Sequence, residues 1–161
     1  MPRNKVITVK TSSGDIDFCV FTETGFVVWI ENKGSEPINF TIPKILPDGT
    51  RVNVLGCGFC IGKFKDIVVS DDIGIGRGAF FGADVESIAL PPSCTSVPDS
   101  CFCGSSAKSI SGLDYVNEIG ECSFKSMGNL KEIDLSATPV MIIGPNAFDA
   151  SCDVRLPYYC Q

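Results

Sequence analysis

The sequence predicts a mainly β solenoid of about five repeats of 21–24 residues, with short helical or 3-10 turns and an N-terminal β-meander as its cap. Three observations lead to this fold: a phenylalanine box occurs five times, a strand-like box follows each copy, and the first 36 residues do not repeat. A single repeat cannot bury its own apolar face, whereas stacked repeats share a continuous core. We therefore assign residues 1–36 to the cap and 37–161 to the solenoid, as one structural unit.

The phenylalanine box has the same plan in every copy. The five copies end at Phe59, Phe80, Phe102, Phe124 and Phe148. A β-branched residue stands five positions before each phenylalanine, and these residues are Val54, Ile75, Val97, Ile119 and Ile143. A small residue directly precedes each phenylalanine, and glycine stands four positions before it in three copies, with Leu55 and Pro98 as variants. A large anchor, a small neighbour and a turn residue suit a tightly coiled rung.

The strand box after each phenylalanine alternates apolar and polar residues. Its copies are FKDIVV (64–69), VESIAL (85–90), AKSISG (107–112), LKEIDL (130–135) and the shorter DVRLP (153–157), with INFTIP (38–43) as a leading strand. Alternation with period two predicts a strand that buries one face. The residues predicted to point inward are Ile67, Ile88, Ile110, Ile133 and Val154.

The repeated pattern resembles the BspA-like leucine-rich repeat family (type 5). The resemblance rests on I-G-x-x-A-F followed by L-x-x-I-x-L-P, and it covers Pro37 to Pro157 in five copies. It implies a right-handed leucine-rich-repeat solenoid, of a kind found in adhesion proteins that bind host or matrix proteins and in intracellular proteins. In that family a Gly-Cys pair is common just after the phenylalanine, whereas the corresponding stretches here are FGAD, CGSS and KSMG. The asparagine of the general leucine-rich pattern is also absent after the strands. The resemblance therefore does not imply a ladder of stacked asparagine side chains in this chain.

The first 36 residues contain the apolar or alternating stretches VITVK, FCVF and FVVWI, separated by the turn signals SSGD and ETG. This arrangement predicts a small β-meander. Because the terminal rung of a solenoid needs a cap over its open core, we assign that role to the meander.

Charge and composition exclude several classes of function. A net charge of −6 and a pI near 4.6, without a basic cluster, disfavour nucleic acid as a partner. The chain has no histidine, the commonest general base, so we predict no catalytic activity. The stretch GIGRGA (74–79) has dinucleotide-loop spacing, but the next strand begins too soon for the required helix. No cofactor is predicted.

The nine cysteines raise the question of redox or metal chemistry. An odd number precludes complete internal pairing, and we expect reduced thiols. Cys57 and Cys60 form a C-x-x-C pair, but no βαβ pattern surrounds it. Zinc would need a second pair such as Cys101 and Cys103; Cys60 and Cys103 fall two rungs apart, about 10 Å at the ~4.8 Å strand spacing, too far for shared ligation. No metal site is predicted.

The outward face of the strand boxes is the predicted partner-binding surface. Residues that alternate with the buried isoleucines form two rows. One row is Asp66, Ser87, Ser109, Glu132 and Asp153, and the other is Val68, Ala89, Ser111, Asp134 and Arg155. Small residues are therefore flanked by acids toward the C-terminal end.

The predicted function is a non-catalytic protein–protein interaction module or scaffold that binds a protein partner through the solenoid surface. Two alternatives stay open: a cell-surface or extracellular adhesion or glycan-binding fragment, and a thiol-redox enzyme using Cys57 and Cys60. The N-terminus lacks a signal-like apolar stretch and no run approaches the ~20 apolar residues of a membrane span, so no membrane insertion is predicted. We expect a cytoplasmic protein if the chain is full length, and a secreted or surface protein if a signal peptide has been removed.

Overall fold

The computed structural model describes residues 3–56 and 60–160, which form a β-solenoid of about five turns, as the sequence predicts. In chain order the elements of this part are β1 (Asn4–Thr11), β2 (Gly14–Phe21), β3 (Phe26–Asn32), β4 (Ile38–Ile42), β5 (Val54–Leu55), β6 (Cys60–Ile61), β7 (Lys63–Val69), β8 (Gly74–Ile75), β9 (Asp84–Ala89), β10 (Ser96–Val97), β11 (Ser109–Ser111), β12 (Glu118–Ile119), β13 (Glu132–Asp134), β14 (Ile142–Ile143), β15 (Asp153–Arg155) and a 3-10 helix (Tyr158–Cys160). The phenylalanine boxes described here are hydrogen-bonded turns between strands rather than helices.

The three N-terminal strands form an antiparallel meander in which β2 lies between β1 and β3. Ile16, Phe18 and Val20 of β2 are fully buried, because alternate side chains of a strand point to the same face. Strand β3 also pairs in parallel with β5 and β6, so the meander is continuous with a sheet of the solenoid. The capping role assigned to residues 1–36 stays a prediction.

Each coil of the solenoid contributes strands to two parallel ladders. The front ladder contains β4, β7, β9, β11, β13 and β15, and the back ladder contains β5, β8, β10, β12 and β14. In the front ladder Ile67, Ile88 and Ile133 are buried, while Ile110 and Val154 are half-buried. These five residues belong to one hydrophobic core or pack against it, so their predicted inward direction is confirmed.

A column of phenylalanines runs through the turns between the two ladders. The ring centroids of Phe80, Phe102, Phe124 and Phe148 are separated by 5.6, 5.2 and 5.1 Å, and all three pairs are stacked. The first three rings are buried, and Phe148 at the end is half-buried. The predicted first member, Phe59, lies outside the described residues.

Backbone hydrogen bonds hold the phenylalanine turns in register. The amide of each of the first three phenylalanines in the column donates to the carbonyl of the residue that precedes the next one, at 2.8, 2.8 and 2.7 Å. The residues directly before the phenylalanines are buried: Ala79, Cys101, Ser123 and Ala147. A small side chain is required there because the neighbouring rung lies within hydrogen-bonding distance of this backbone.

Ser123 is the member of this small-residue set whose hydroxyl is buried without a hydrogen-bond partner among the described residues. Because an unsatisfied buried polar group costs about 1–3 kcal/mol, we expect Ser123→Ala to raise the free energy of unfolding by roughly 1 kcal/mol. Urea denaturation followed by circular dichroism measures the change. Ser151→Ala, at an exposed position, is the control and should leave the midpoint unchanged. A lower midpoint for Ser123→Ala would show that the hydroxyl has a partner.

Each described turn has a left-handed residue two positions before the phenylalanine. These residues are Gly78, Ser100, Cys122 and Asn146, with φ between 55° and 63°. Glycine and asparagine adopt this conformation readily, whereas serine and cysteine do so at a cost of roughly 1–2 kcal/mol. The repeated hydrogen bonds of the turn therefore impose a backbone conformation that the side chains at two of these positions disfavour.

The back ladder is interrupted between β8 and β10. The amides of Gly76, Gly120 and Gly144 each donate, at 2.7 Å, to a carbonyl in the back-ladder strand of the preceding rung. The equivalent position in the intervening rung is Pro98, which has no N–H to donate. The sequence variant at this position therefore accounts for the missing pairing.

The register of the first copy differs from the sequence alignment. Leu55, and not Val54, pairs with Ile75, while Val54 pairs with Gly74. Gly56 then corresponds to Gly76, and its amide donates to a carbonyl of β3 in the same way. The alignment of Val54 with Ile75 is therefore wrong by one residue, because the backbone pairing follows the glycine and not the distance to the phenylalanine.

Candidate interaction surface

The ten residues predicted to bind a partner all lie on the front ladder. The structure pairs Asp66 with Ser87 and Ser87 with Ser109. The second row follows the same ladder, with Val68, Ala89 and Ser111 in register. Near the C-terminal end, β13 and β15 pair Glu132 with Asp153 and Asp134 with Arg155. The two rows are therefore in register within each sheet, and they divide into an N-terminal group of six and a C-terminal group of four.

The two groups differ in exposure and in charge. Asp66, Ser87 and Ala89 are half-buried, and Val68 has 43% of its surface exposed. The remaining six residues are exposed: Ser109, Ser111, Glu132, Asp134, Asp153 and Arg155. The N-terminal group is thus the less charged and more closely packed part of the face.

The carboxylates of Asp66 and Asp134 each accept hydrogen bonds from neighbouring residues. The Ser87 hydroxyl donates to the Asp66 carboxylate at 2.7 Å across two adjacent strands. The Ser136 hydroxyl and amide donate to Asp134 at 2.6 and 2.9 Å. These hydrogen bonds, with a smaller contribution from the charge of Arg155, lower the pKa of the Asp134 carboxyl.

Glu132 and Asp153 form a different arrangement. They occupy directly paired positions on β13 and β15, and both are exposed. Within the described residues neither carboxylate takes part in an ion pair or accepts a side-chain hydrogen bond. Like charges at directly opposite positions of a sheet destabilise it, so this pair is a place where a cation from outside would be favoured.

The front ladder is split between β11 and β13. Among the strands in residues 3–56 and 60–160, β11 pairs only with β9, and β13 pairs only with β15. A cavity of about 540 Å³, which we call the front groove, is lined by both strands and by residues just before and after them. Its apolar lining includes Ile110, Leu113, Leu130 and Ile133.

Two local departures from the repeat accompany this split. Gly112 stands where the other strand boxes have Val69, Leu90 and Leu135, and its φ of 83° is left-handed. The interval from the phenylalanine to the inward isoleucine is eight residues from Phe102 to Ile110 but nine from Phe124 to Ile133. Both departures lie in or next to the stretch between β11 and β13, where the strand pairing is missing. Sequence reasoning missed the groove, although both signals are present in the sequence.

The structure describes one cysteine of the C-x-x-C pair on which the redox-enzyme alternative rests. Cys57 lies outside the described residues, while Cys60 is buried in β6. Burial raises the pKa of the Cys60 thiol to about 12. Because the thiolate is the reactive species, this shift works against nucleophilic chemistry at Cys60 near neutral pH.

The other sequence-level candidates for chemistry occupy ordinary structural positions. Cys101 is buried in the small-residue set before the phenylalanines, and burial raises its pKa well above the usual range. Gly74 and Ile75 of the GIGRGA stretch form β8, and a turn follows directly. Over residues 3–56 and 60–160 no group of three or more Cys, Asp or Glu side chains is placed to hold a metal ion.

Comparison with known proteins supports the repeat assignment. No helix within the described ranges is both long enough and apolar enough to cross a membrane. No curated protein and no solved structure matches the chain. The sequence profile of the BspA type leucine-rich repeat region matches six copies across residues 59–157. The match covers more than half of the 161 residues, and the chain therefore belongs to the BspA-type leucine-rich repeat family.

Proposed function

We propose that the chain is a non-catalytic interaction module that binds a partner protein through the outward face of the front ladder. Membership of the BspA-type family suggests a repeat module for protein interaction or adhesion, in a family that is generally not catalytic. The observation that supports the front ladder is its two rows of outward side chains, held in register by parallel pairing.

The C-terminal part of this face is proposed to contribute most to binding. Glu132 and Asp153 present two uncompensated carboxylates next to a groove with apolar lining. Charge complementarity mainly controls which partner binds and how fast, whereas apolar contacts in a desolvated centre supply much of the affinity. A partner with basic and apolar side chains on one surface therefore fits this region best.

Reversing two charges on the front ladder tests the proposal. We expect the double variant Glu132→Lys and Asp134→Lys to lower the affinity for the captured partner by about tenfold, or about 1.4 kcal/mol, since attraction becomes repulsion. The free energy of unfolding should change by no more than about 1 kcal/mol, the value of the hydrogen bonds that Asp134 accepts. Affinity capture from native cells with mass spectrometry identifies the partner, and titration with that purified partner measures the affinity.

The matched control is the double variant Glu118→Lys and Glu121→Lys. Both residues are exposed, Glu118 lies in β12 of the back ladder, and the change in net charge is the same. It should bind the partner like the unaltered protein. If the control variant loses binding while the front-ladder variant retains it, the binding surface is on the back ladder and the proposal is wrong.

A further inference from the structure

On its opposite sides the front groove has two strand edges that pair with no other strand in the described part of the chain. β11 has its hydrogen-bonded neighbour, β9, on one side, and β13 has its neighbour, β15, on the other. Both strands line the groove between them, whose volume of about 540 Å³ lies within the ~300–1,000 Å³ range of ligand pockets. Unpaired strand edges readily accept an added strand, because each presents a row of free backbone donors and acceptors.

The side chains along the groove repeat the alternation of the ladder. Ile110 and Ile133 occupy the central positions of β11 and β13, with Leu113 and Leu130 also in the lining. Ile110 is half-buried, whereas the equivalent isoleucines of the two preceding strands are buried. A side chain that enters the groove at this central level would cover Ile110 and complete the apolar layer.

The outward positions on either side of that layer differ in charge. At the level of Ser109 and Glu132, Lys108 also lines the groove but makes no ion pair with Glu132 among residues 3–56 and 60–160. The paired position on the neighbouring strand is another acid, Asp153. At the level of Ser111, Asp134 already accepts two hydrogen bonds from Ser136 and is paired in register with Arg155. The first level therefore favours a cation, and the second favours a small uncharged residue.

We propose that the front groove binds an extended peptide segment of a partner protein as an additional strand between β11 and β13. The segment has a three-residue core, with lysine or arginine beside Glu132, a β-branched apolar residue over Ile110 and Ile133, and serine or threonine beside Asp134. Bound in this way, it joins the four-stranded and two-stranded parts of the front ladder into one sheet. This inference rests on the proposed function and names the kind of segment that the interaction surface recognises.

Backbone pairing gives this mode of binding a specific signature. An inserted strand hydrogen-bonds through its own amides to both neighbours, so its affinity depends on free N–H groups as well as on side chains. A ligand held only by its charge would not depend on them. Methylation of the peptide amides therefore separates strand insertion from a purely electrostatic contact with Glu132.

The test uses the whole protein and an acetylated, amidated heptapeptide, GSKVTSG, followed by NMR amide shifts. We expect saturable binding with Kd at or below about 1 mM, with the largest shifts in Ser109–Ser111 and Glu132–Asp134. The peptide N-methylated at its valine and threonine, and the peptide GSEVTSG, should each bind at least tenfold more weakly. The protein variant Glu132→Lys should lose at least tenfold for the parent peptide, while Glu118→Lys binds it normally.

The outcomes separate this inference from the proposed function. If the N-methylated peptide binds as well as the parent, or if the shifts lie outside the front groove, strand insertion is excluded even when the front ladder captures a partner. Absence of saturation up to about 5 mM peptide overturns the inference in the same way. Selective binding of the parent peptide supports the groove as a peptide site, and it does so even if the partner captured from cells does not depend on Glu132 and Asp134.

Discussion

Phe102→Ala is expected to lower the free energy of unfolding by about 3–5 kcal/mol, the range found when a large buried aromatic side chain is removed. Phe102 is fully buried and lies between two stacked neighbours, at 5.6 and 5.2 Å between ring centroids. Its removal therefore leaves a cavity in the middle of the column and breaks two aromatic contacts at once. Chemical denaturation, monitored by circular dichroism, measures the loss.

Two other alanine variants provide free energies of unfolding with which the Phe102→Ala value is compared. Tyr115 is 64% exposed, so Tyr115→Ala should change the free energy of unfolding by less than about 0.5 kcal/mol. Phe148 has a stacked neighbour on one side and is half-buried, so Phe148→Ala should fall between the two. If Phe102→Ala is no more destabilising than Phe148→Ala, the column does not act as the continuous core described here.

Gly120→Ala is expected to cost about 1–3 kcal/mol, the range for adding atoms to a closely packed site. A Cβ at this position would lie 2.5 Å from the Asp99 amide nitrogen and 2.7 Å from the Pro98 carbonyl carbon. Backbone atoms of the neighbouring rung cannot move aside without breaking their own hydrogen bonds. The two rungs would therefore separate locally, and thermal denaturation should detect this as a lower Tm.

Gly128→Ala is the matched control for this variant. No atom lies within 4 Å of a Cβ built at Gly128, and its φ is outside the left-handed region. The free energy of unfolding should stay the same or rise slightly, because alanine restricts the unfolded chain more than glycine does. Equal losses for both variants would mean that the contact between rungs at Gly120 is not tight.

Spacing and residue size in the sequence were sufficient to predict the solenoid. The phenylalanines and the small residues before them repeat because stacked turns need both, and the inward isoleucines repeat because each strand buries one face. The outward rows followed from the same alternation, and the backbone pairing puts Asp66, Ser87 and Ser109 side by side. These features depend on local geometry, which a single repeat already encodes.

Features that depend on differences between repeats were not predicted. The sequence marks Pro98 as a variant of the glycine position, but the consequence of this proline depends on a hydrogen bond between two rungs. Gly112 and the extra residue after Phe124 are likewise visible in the sequence, and the front groove lies where these two departures occur. The alignment of Val54 with Ile75 is wrong because the register follows the glycine whose amide bonds to the preceding rung, and not the distance to the phenylalanine.

The two interruptions of the ladders fall on opposite sides of the same rung. The rung that contains β10 and β11 pairs with the preceding rung through its front strand, β11, but not through its back strand, β10. It pairs with the following rung through β10 but not through β11. In a linear array, cooperativity depends on the coupling between nearest neighbours. Both junctions that lack a strand pairing adjoin this one rung, so we expect the N-terminal and C-terminal parts of the solenoid to be least tightly coupled there.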